Sequence, residues 1–164
     1  YTAQLGLNLP IVIRYPRGKG KIKDWRKPFS KIEIGKAVTL KKGKRLAFLS
    51  IGTISKNITD CLPFVSSPDY ISHYDMRFLK PLDEQLLHEI FNSHEIICTI
   101  EDGTIKGGFG STILEFAAEN DYNNNIKLFG IPDKFIDHGS IEQLQQAINI
   151  DARSIAEEIN KLLQ

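Results

Sequence analysis

Two arginines on a rigid turn are the strongest chemical feature of the sequence. Arg14 and Arg17 stand in the string RYPRG, where Pro16 fixes one backbone angle and Gly18 allows the chain to turn. A guanidinium fork matches the paired oxygens of a phosphate or carboxylate, and a rigid turn holds it better than a loose arm. The pair is a candidate anion site, and nothing in it is catalytic by itself. Three carboxylates come next: Asp75 at the end of one expected strand, and Glu101-Asp102 after another. Paired carboxylates can run acid–base chemistry or hold a divalent metal. No histidine converges on them, and a helix cap or an Asp75–Arg77 link accounts for them equally well. Gly107-Gly108-Phe109-Gly110 lies just before an expected helix, where free backbone donors attract anions. It is not GxGxxG and no Lys-Ser pair follows. A tight helix start packed on the sheet is the preferred reading.

The remaining reactive side chains offer less. His73, His88, His94 and His138 make neither HxxxH nor HExxH spacing. His88 is expected on the polar face of a helix, and His138, beside Gly139 in a strand-end loop, is the one near a candidate site. There is no GxSxG, and Cys98 lies within an apolar strand, so nucleophilic catalysis has no support. Cys61 and Cys98 are too few for a disulfide framework or a cysteine metal site, which fits a reducing cytosol.

The elements that must position these groups follow from hydrophobic period and turn residues. Residues 10–14 (PIVIR) read as a short buried strand, and 19–31 as a surface linker anchored by Trp25 and Phe29. Residues 32–40 and 45–51 read as strands around a Lys41–Lys44 turn, the second apolar enough to be covered on both faces. A helix follows Gly52-Thr53 with Pro63 near its end, then a strand at 70–75. Pro81 opens a helix through about Phe91, with Leu82, Leu86, Leu87, Ile90 and Phe91 on one stripe. A strand at 95–100 leads into a helix ending near Glu119 that turns Phe109, Ile113, Phe116 and Ala117 inward. After a strand at 126–130, Ser140 starts a helix with Gln143 in capping-box position. A last helix spans 152–163, with Glu157 four residues before Lys161. Strands alternating with helices predict an α/β class fold: a three-layer α/β/α sandwich on a mostly parallel five-stranded sheet. Its strand-end loops are Gly52-Thr53, Asp75–Pro81, Glu101–Gly110 and Gly130–Gly139, where open α/β sheets keep functional groups.

Composition sets outer limits. The chain has 164 residues, 41% hydrophobic and 25% charged, the profile of about one globular domain with an attached piece. No apolar run reaches the roughly 18 residues of a membrane span, and no leader opens the chain. The sole methionine is Met76, so the first residue reads as the middle of something longer. Net charge is +1, but residues 1–50 carry thirteen Lys/Arg against Asp24 and Glu33, while residues 51–164 are acidic. A basic arm for nucleic acid or a phosphorylated substrate fits, and so does a solvated linker beside an acidic domain.

RYPRG, IGKAVTLKKGKRLAFLSIGT, DMRFLKPLDEQLLHEIF, TIEDGTIKGGFGS and LFGIPDKFIDHGS occur in that order. The series resembles the C-terminal region of the 1-deoxy-D-xylulose-5-phosphate synthase family of the transketolase superfamily, along essentially the whole chain. DxRxxKPLD alone is similar to many transketolase-type C-terminal domains; the YPRG turn and the IPD segment narrow the likeness. The resemblance implies residues 1–18 as the end of a pyrimidine-binding domain, 19–31 as a linker, and 32–164 as a transketolase-type C-terminal domain. It implies a parent enzyme that uses thiamine diphosphate and magnesium to condense pyruvate with D-glyceraldehyde 3-phosphate, losing CO2. Arg17 matches the arginine that contacts the triose phosphate group, with Arg14 in a supporting role. Asp75, Arg77, Lys80, Pro81, Asp83, Glu101, Gly107, Gly108 and Gly110 match structural signature positions, not catalytic ones. Where the family more usually has Glu-Glu-Gly, this chain has Glu101-Asp102-Gly103, and residues 61–69 are less helical than in relatives.

The activating glutamate, the metal motif and the catalytic histidines of the family are absent from the sequence. The isolated chain is therefore expected to bind no cofactor or metal and to be inactive. Its expected partners are the other domains of a cytoplasmic homodimeric enzyme, with no nucleic acid and no membrane. Two alternatives stand beside this: the C-terminal domain of a β-type 2-oxoacid dehydrogenase or other transketolase-like protein, and a standalone binding module with a basic arm.

Overall fold

Side-chain alternation along two central strands fixes the layering of the larger part of the molecule. The structure, a computed structural model, describes residues 1–16 and 26–164. The chain forms two units, Tyr1–Ile34 and Gly35–Gln164. In the second unit the elements run β1 (Val38–Lys41), β2 (Leu46–Ile51), α1 (Ser55–Cys61), β3 (Ile71–Asp75), α2 (Glu84–Ser93), β4 (Ile96–Thr104), α3 (Phe109–Glu119), β5 (Asn125–Ile131), α4 (Ile141–Ala147) and α5 (Ala152–Leu162). Leu46 and Phe48 of β2, with Ile96, Cys98 and Ile100 of β4, meet Ile58 of α1 and Ile155, Ala156 and Ile159 of α5. Their neighbours Ala47, Leu49 and Ile97 point the other way, onto Leu87 and Ile90 of α2 and Ile113 and Phe116 of α3. Two helical layers thus enclose one sheet, the expected three-layer α/β/α sandwich.

The sheet order is β1-β3-β2-β4-β5. β2 pairs in parallel with β3 and β4, and β4 with β5, while β1 is an antiparallel edge on β3. The predicted strand at 32–40 shortens to β1 because Gly35 takes φ +72 and its missing side chain lets Pro81 approach; a Cβ there would lie 2.9 Å from Pro81 Cγ. β4 outruns its predicted end at residue 100. Past an irregularity it still pairs Thr104 with Ile131, so Glu101 belongs to the strand. The helix after Gly52 ends at Cys61 and tightens into a 3₁₀ turn at Leu62–Phe64, where Pro63 removes a donor. Pro81 precedes α2, but Asp83 is its N-cap, accepting from Leu86 N–H. The Ser140–Gln143 capping box forms as expected. Lys161 pairs with Glu158, 3.4 Å away, because Glu158 also meets Lys127 of β5 at 2.5 Å. Glu157, the expected partner, has no such cross-element anchor.

In the first unit the predicted strand at 10–14 does not form. Ile11, Val12 and Ile13 are exposed, Val12 by 94%. Among the described residues the unit offers only a short 3₁₀ turn at Thr2–Leu5, so these backbone groups have no strand to pair with. Phe29, an expected anchor, is 83% exposed, its ring stacked on Tyr1 at 5.7 Å. Trp25, the other anchor, lies outside the described residues.

Three histidines are folded into polar or aromatic networks. His88 is half-buried, its Nδ1 2.8 Å from Tyr122 Oη and its ring 5.0 Å from that of Phe116. This corrects the expected polar-face placement: Tyr122, just past α3, packs back over the helix. His94 Nδ1 lies 3.1 Å from the Ile90 carbonyl, while Ser72 Oγ links Nε2 (2.8 Å) to Gly43 N–H (2.8 Å). His73 lies in the middle of β3 with Nε2 2.9 Å from Ser50 Oγ, whose hydroxyl donates to the Tyr74 carbonyl at 3.1 Å. Burial pushes His73 down from the ordinary 6.5 to about 4, and lowers His94 as well.

These shifts set a pH prediction. A histidine held neutral in the fold but protonated near 6.5 when unfolded leaves stability intact above 6.5 and withdraws it as pH falls from 6.5 to about 4. For His73 the loss is on the order of 3 kcal/mol at 1.36 kcal/mol per pH unit. Urea unfolding of the 164-residue chain at pH 7, 5.5 and 4.5 should show this decline. His73→Gln should flatten most of it and leave the share of His94.

Candidate functional site

Strand order reverses between β2 and β4, and in an open α/β sheet the crevice outside such strand ends is the usual ligand site. Here Ile51 and Glu101 are paired at that point. Alternation sends Glu101 to the same face as Ile97, toward α3. Its carboxylate is 3% exposed and takes the first free donors of the helix: Phe109 N–H to Oε2 at 3.0 Å and Gly110 N–H to Oε1 at 2.8 Å. Ser111 Oγ closes the preceding loop, accepting from Gly107 N–H and donating to the Ile105 carbonyl, both at 2.9 Å. The glycines serve this approach. A Cβ on Gly108 would lie 2.2 Å from Glu101 Oε2 and from the Thr104 carbonyl; one on Gly110 would lie 2.8 Å from Thr99 Oγ1. The helix start that could hold an external anion holds the protein's own.

The other carboxylates are also engaged locally. Asp75 Oδ1 accepts from Arg77 N–H at 3.1 Å. Asp83 accepts from Lys36 Nζ at 3.2 Å and Ala37 N–H at 3.1 Å, besides capping α2. Gly107 takes φ +71, and Lys80 precedes Pro81 in the loop after β3, both exposed. His138 is exposed in the loop after β5, beside a shallow groove formed with Phe135, Gln143, Leu144 and Ile148. Arg14 is exposed in irregular backbone of the first unit. Arg17 lies outside the described residues. Within the second unit the described signature residues are engaged in separate local contacts and do not form one reacting centre. Among the described residues no group of three or more His, Cys, Asp or Glu could hold a metal ion.

Sequence reasoning passed over two features. One is Thr99 Oγ1, fully buried and without a hydrogen-bond partner beneath Gly110; an ordinary strand threonine gives no warning of it. The other is Arg77, whose φ of 57 places a bulky residue in left-handed backbone, which no neighbouring turn signature announced.

Removing the Glu101 carboxylate while leaving two buried N–H groups should cost roughly 2–4 kcal/mol in Glu101→Ala. Gly108→Ala should cost a similar amount by pushing the same carboxylate out. Thermal unfolding of the two variants and of the double variant checks this. The double variant should fall well short of the sum, because both substitutions break one contact.

The chain is similar in sequence and in fold to known proteins. The family profile described as "Transketolase, C-terminal domain" matches residues 35–155. The 1-deoxy-D-xylulose-5-phosphate synthase of Parabacteroides distasonis is 49% identical over 162 residues, covering 98% of this chain and 26% of the relative. That of Bacteroides thetaiotaomicron is 47% identical over 163 residues, 98% of this chain and 25% of the relative. That of Vibrio parahaemolyticus is 35% identical over 154 residues, 94% and 24%. The chain thus spans about a quarter of the length of the curated relatives it matches. A solved structure described as "Split gene transketolase, inactive beta4 tetramer" superimposes with a TM-score of 0.73 at 24% identity, covering 82% of this chain and 44% of that one, a likeness of fold.

Proposed function

The chain belongs to the transketolase C-terminal domain family, and from that premise we propose that it is the C-terminal portion of a 1-deoxy-D-xylulose-5-phosphate synthase. One observation carries this reading. The family profile begins at residue 35, yet identity to the synthases of 47–49% runs over 98% of the chain, so the likeness takes in the first unit as well. The exposed apolar run Ile11-Val12-Ile13 agrees with it, being what a sheet strand looks like without the sheet.

On this reading residues 1–18 end a pyrimidine-binding domain, 19–31 link it to the next, and 32–164 form the C-terminal domain of a homodimeric enzyme. That enzyme joins the two-carbon unit of pyruvate to D-glyceraldehyde 3-phosphate with loss of CO2. Thiamine diphosphate with magnesium supplies the electron sink for decarboxylation in such an enzyme. The described residues do not fit that group. The one helix start at the crevice is filled by Glu101, and no metal-ligand cluster occurs among them. On this reading the cofactor sits in the part of the enzyme outside this chain. What this chain contributes is positional. On this reading the guanidinium fork of Arg17 meets the phosphate of the triose, with Arg14 in a supporting role. A guanidinium fork that holds the non-reacting end of a substrate orients its reacting carbonyl.

The test uses both lengths of the protein. Supplied with pyruvate, D-glyceraldehyde 3-phosphate, thiamine diphosphate and magnesium, the 164-residue chain should form no product, and the longer protein should. In the longer protein Arg17→Ala should raise KM for the triose phosphate by roughly 10–100-fold, equivalent to about 1.5–3 kcal/mol for a lost charge-assisted bond. KM for pyruvate should change far less. Equal effects on the two substrates would remove Arg17 from this role.

A further inference from the structure

Arg77 combines a strained backbone with an unused charge. Its φ is 57, and Phe78 N–H donates to the Met76 carbonyl across it at 2.5 Å. Arg77 is therefore the centre of a three-residue γ-turn of the rare, positive-φ kind. The turn is held from both sides. Met76 is fully buried, its N–H bonded to the Ser50 carbonyl at 2.8 Å, and Asp75 Oδ1 takes the Arg77 N–H at 3.1 Å. Further along, Asp83 grips Lys36 and Ala37, so the loop is clamped at its far end too. Yet the guanidinium carried by this mount is exposed and has no partner among the described residues. Lys80, in the same loop, is likewise exposed and without a partner among them. A strained backbone beneath an exposed cation that has no partner among the described residues marks a recognition residue, since the fold gains nothing from the charge.

We infer that Arg77, with Lys80 beside it, docks a carboxylate on the part of the longer enzyme that this chain lacks. This rests on the reading proposed above, under which about three quarters of the enzyme lies elsewhere. The chemistry favours a carboxylate over a free phosphate. A phosphate site surrounds its ligand with backbone donors, but here the N–H groups of Arg77 and Phe78 are spent on Asp75 and Met76. A planar carboxylate needs only the parallel N–H pair of the guanidinium.

Glycine at position 77 separates the backbone from the side chain, because glycine adopts positive φ without strain. In the 164-residue chain Arg77→Gly should raise the melting temperature by about 2–4 °C. In the longer protein the same substitution should speed proteolytic release of the C-terminal region at least about tenfold, as loss of a docked charge pair does. Arg77→Lys, which keeps charge but not the fork, should fall between. Opposite signs in the two lengths are the signature. Unchanged protease resistance of Arg77→Gly in the longer protein would overturn the docking, and a lowered melting temperature in both lengths would make Arg77 a fold residue instead. Faster release accompanied by a halved mass in solution would place the carboxylate on a second copy and overturn the stated partner. Turnover of the unaltered longer protein is scored separately. Absence of product alongside the expected proteolysis pattern would refute the proposed activity and leave the docking of Arg77 standing.

Discussion

The buried carboxylate of Glu101 is the contact on which the second unit is organised. A charge at 3% exposure is costly unless its oxygens are fully occupied. Two backbone N–H groups and the positive end of α3 meet that need in one place. The requirement propagates outward. Glu101 must face α3, so β4 keeps its register with β2 as far as the Ile51–Glu101 pair, while its register with β5 shifts between Ile100 and Thr104. The helix must come within hydrogen-bond distance of the strand, so positions 108 and 110 cannot carry a side chain. Thr99 is then sealed beneath Gly110 with its hydroxyl unpaired, a local penalty accepted for that close approach. The crevice that an α/β sheet ordinarily offers to a ligand is consumed in holding the sheet and α3 together.

How legible these features were depended on whether the deciding partner was local. β2 is apolar on both faces, and the stripe on α2 and the Ser140–Gln143 box are written within a few residues of where they act. Those elements and the sandwich they build were readable. Residues 10–14 have the same strand-like composition, but strand formation needs a second strand, and the first unit supplies none among the described residues. The strand expected over 32–40 begins only at Val38, its earlier residues diverted by a contact between Gly35 and Pro81, distant in sequence. Glu101 reaches donors eight and nine residues away across a glycine loop, beyond any capping-box spacing. The order of short strings along the chain carried the family likeness; the roles of single residues within them came only from tertiary distances.

Charge distribution takes on meaning in the same light. The acidic excess after residue 50 coexists with few buried charges, and those that are buried, Glu101 and Asp83, are matched by N–H groups or by Lys36. Most of the remaining carboxylates are exposed or half-buried, where they serve solubility. The basic excess before residue 50 is partly structural too. Lys41 donates to the Pro68 and Ile71 carbonyls, and Arg45 joins Glu95 and the Leu163 carbonyl. Lys41, committed to two backbone carbonyls, is not free to meet a polyanion.

An α/β domain that closes its own crevice can still contribute to catalysis, but only through its surface. Its strand-end loops divide accordingly. The loop after β4 is closed by Glu101 and Ser111. Those after β3 and β5 carry groups that the domain does not use: the Arg77 guanidinium, and Phe135, which is wholly exposed. An aromatic ring left in water and a strained arginine without a counter-charge are both costly for a domain meant to stand alone. Under the proposed reading these costs are recovered when the rest of the enzyme covers the rim. On that reading the domain is a rigid base that holds neighbouring parts in register.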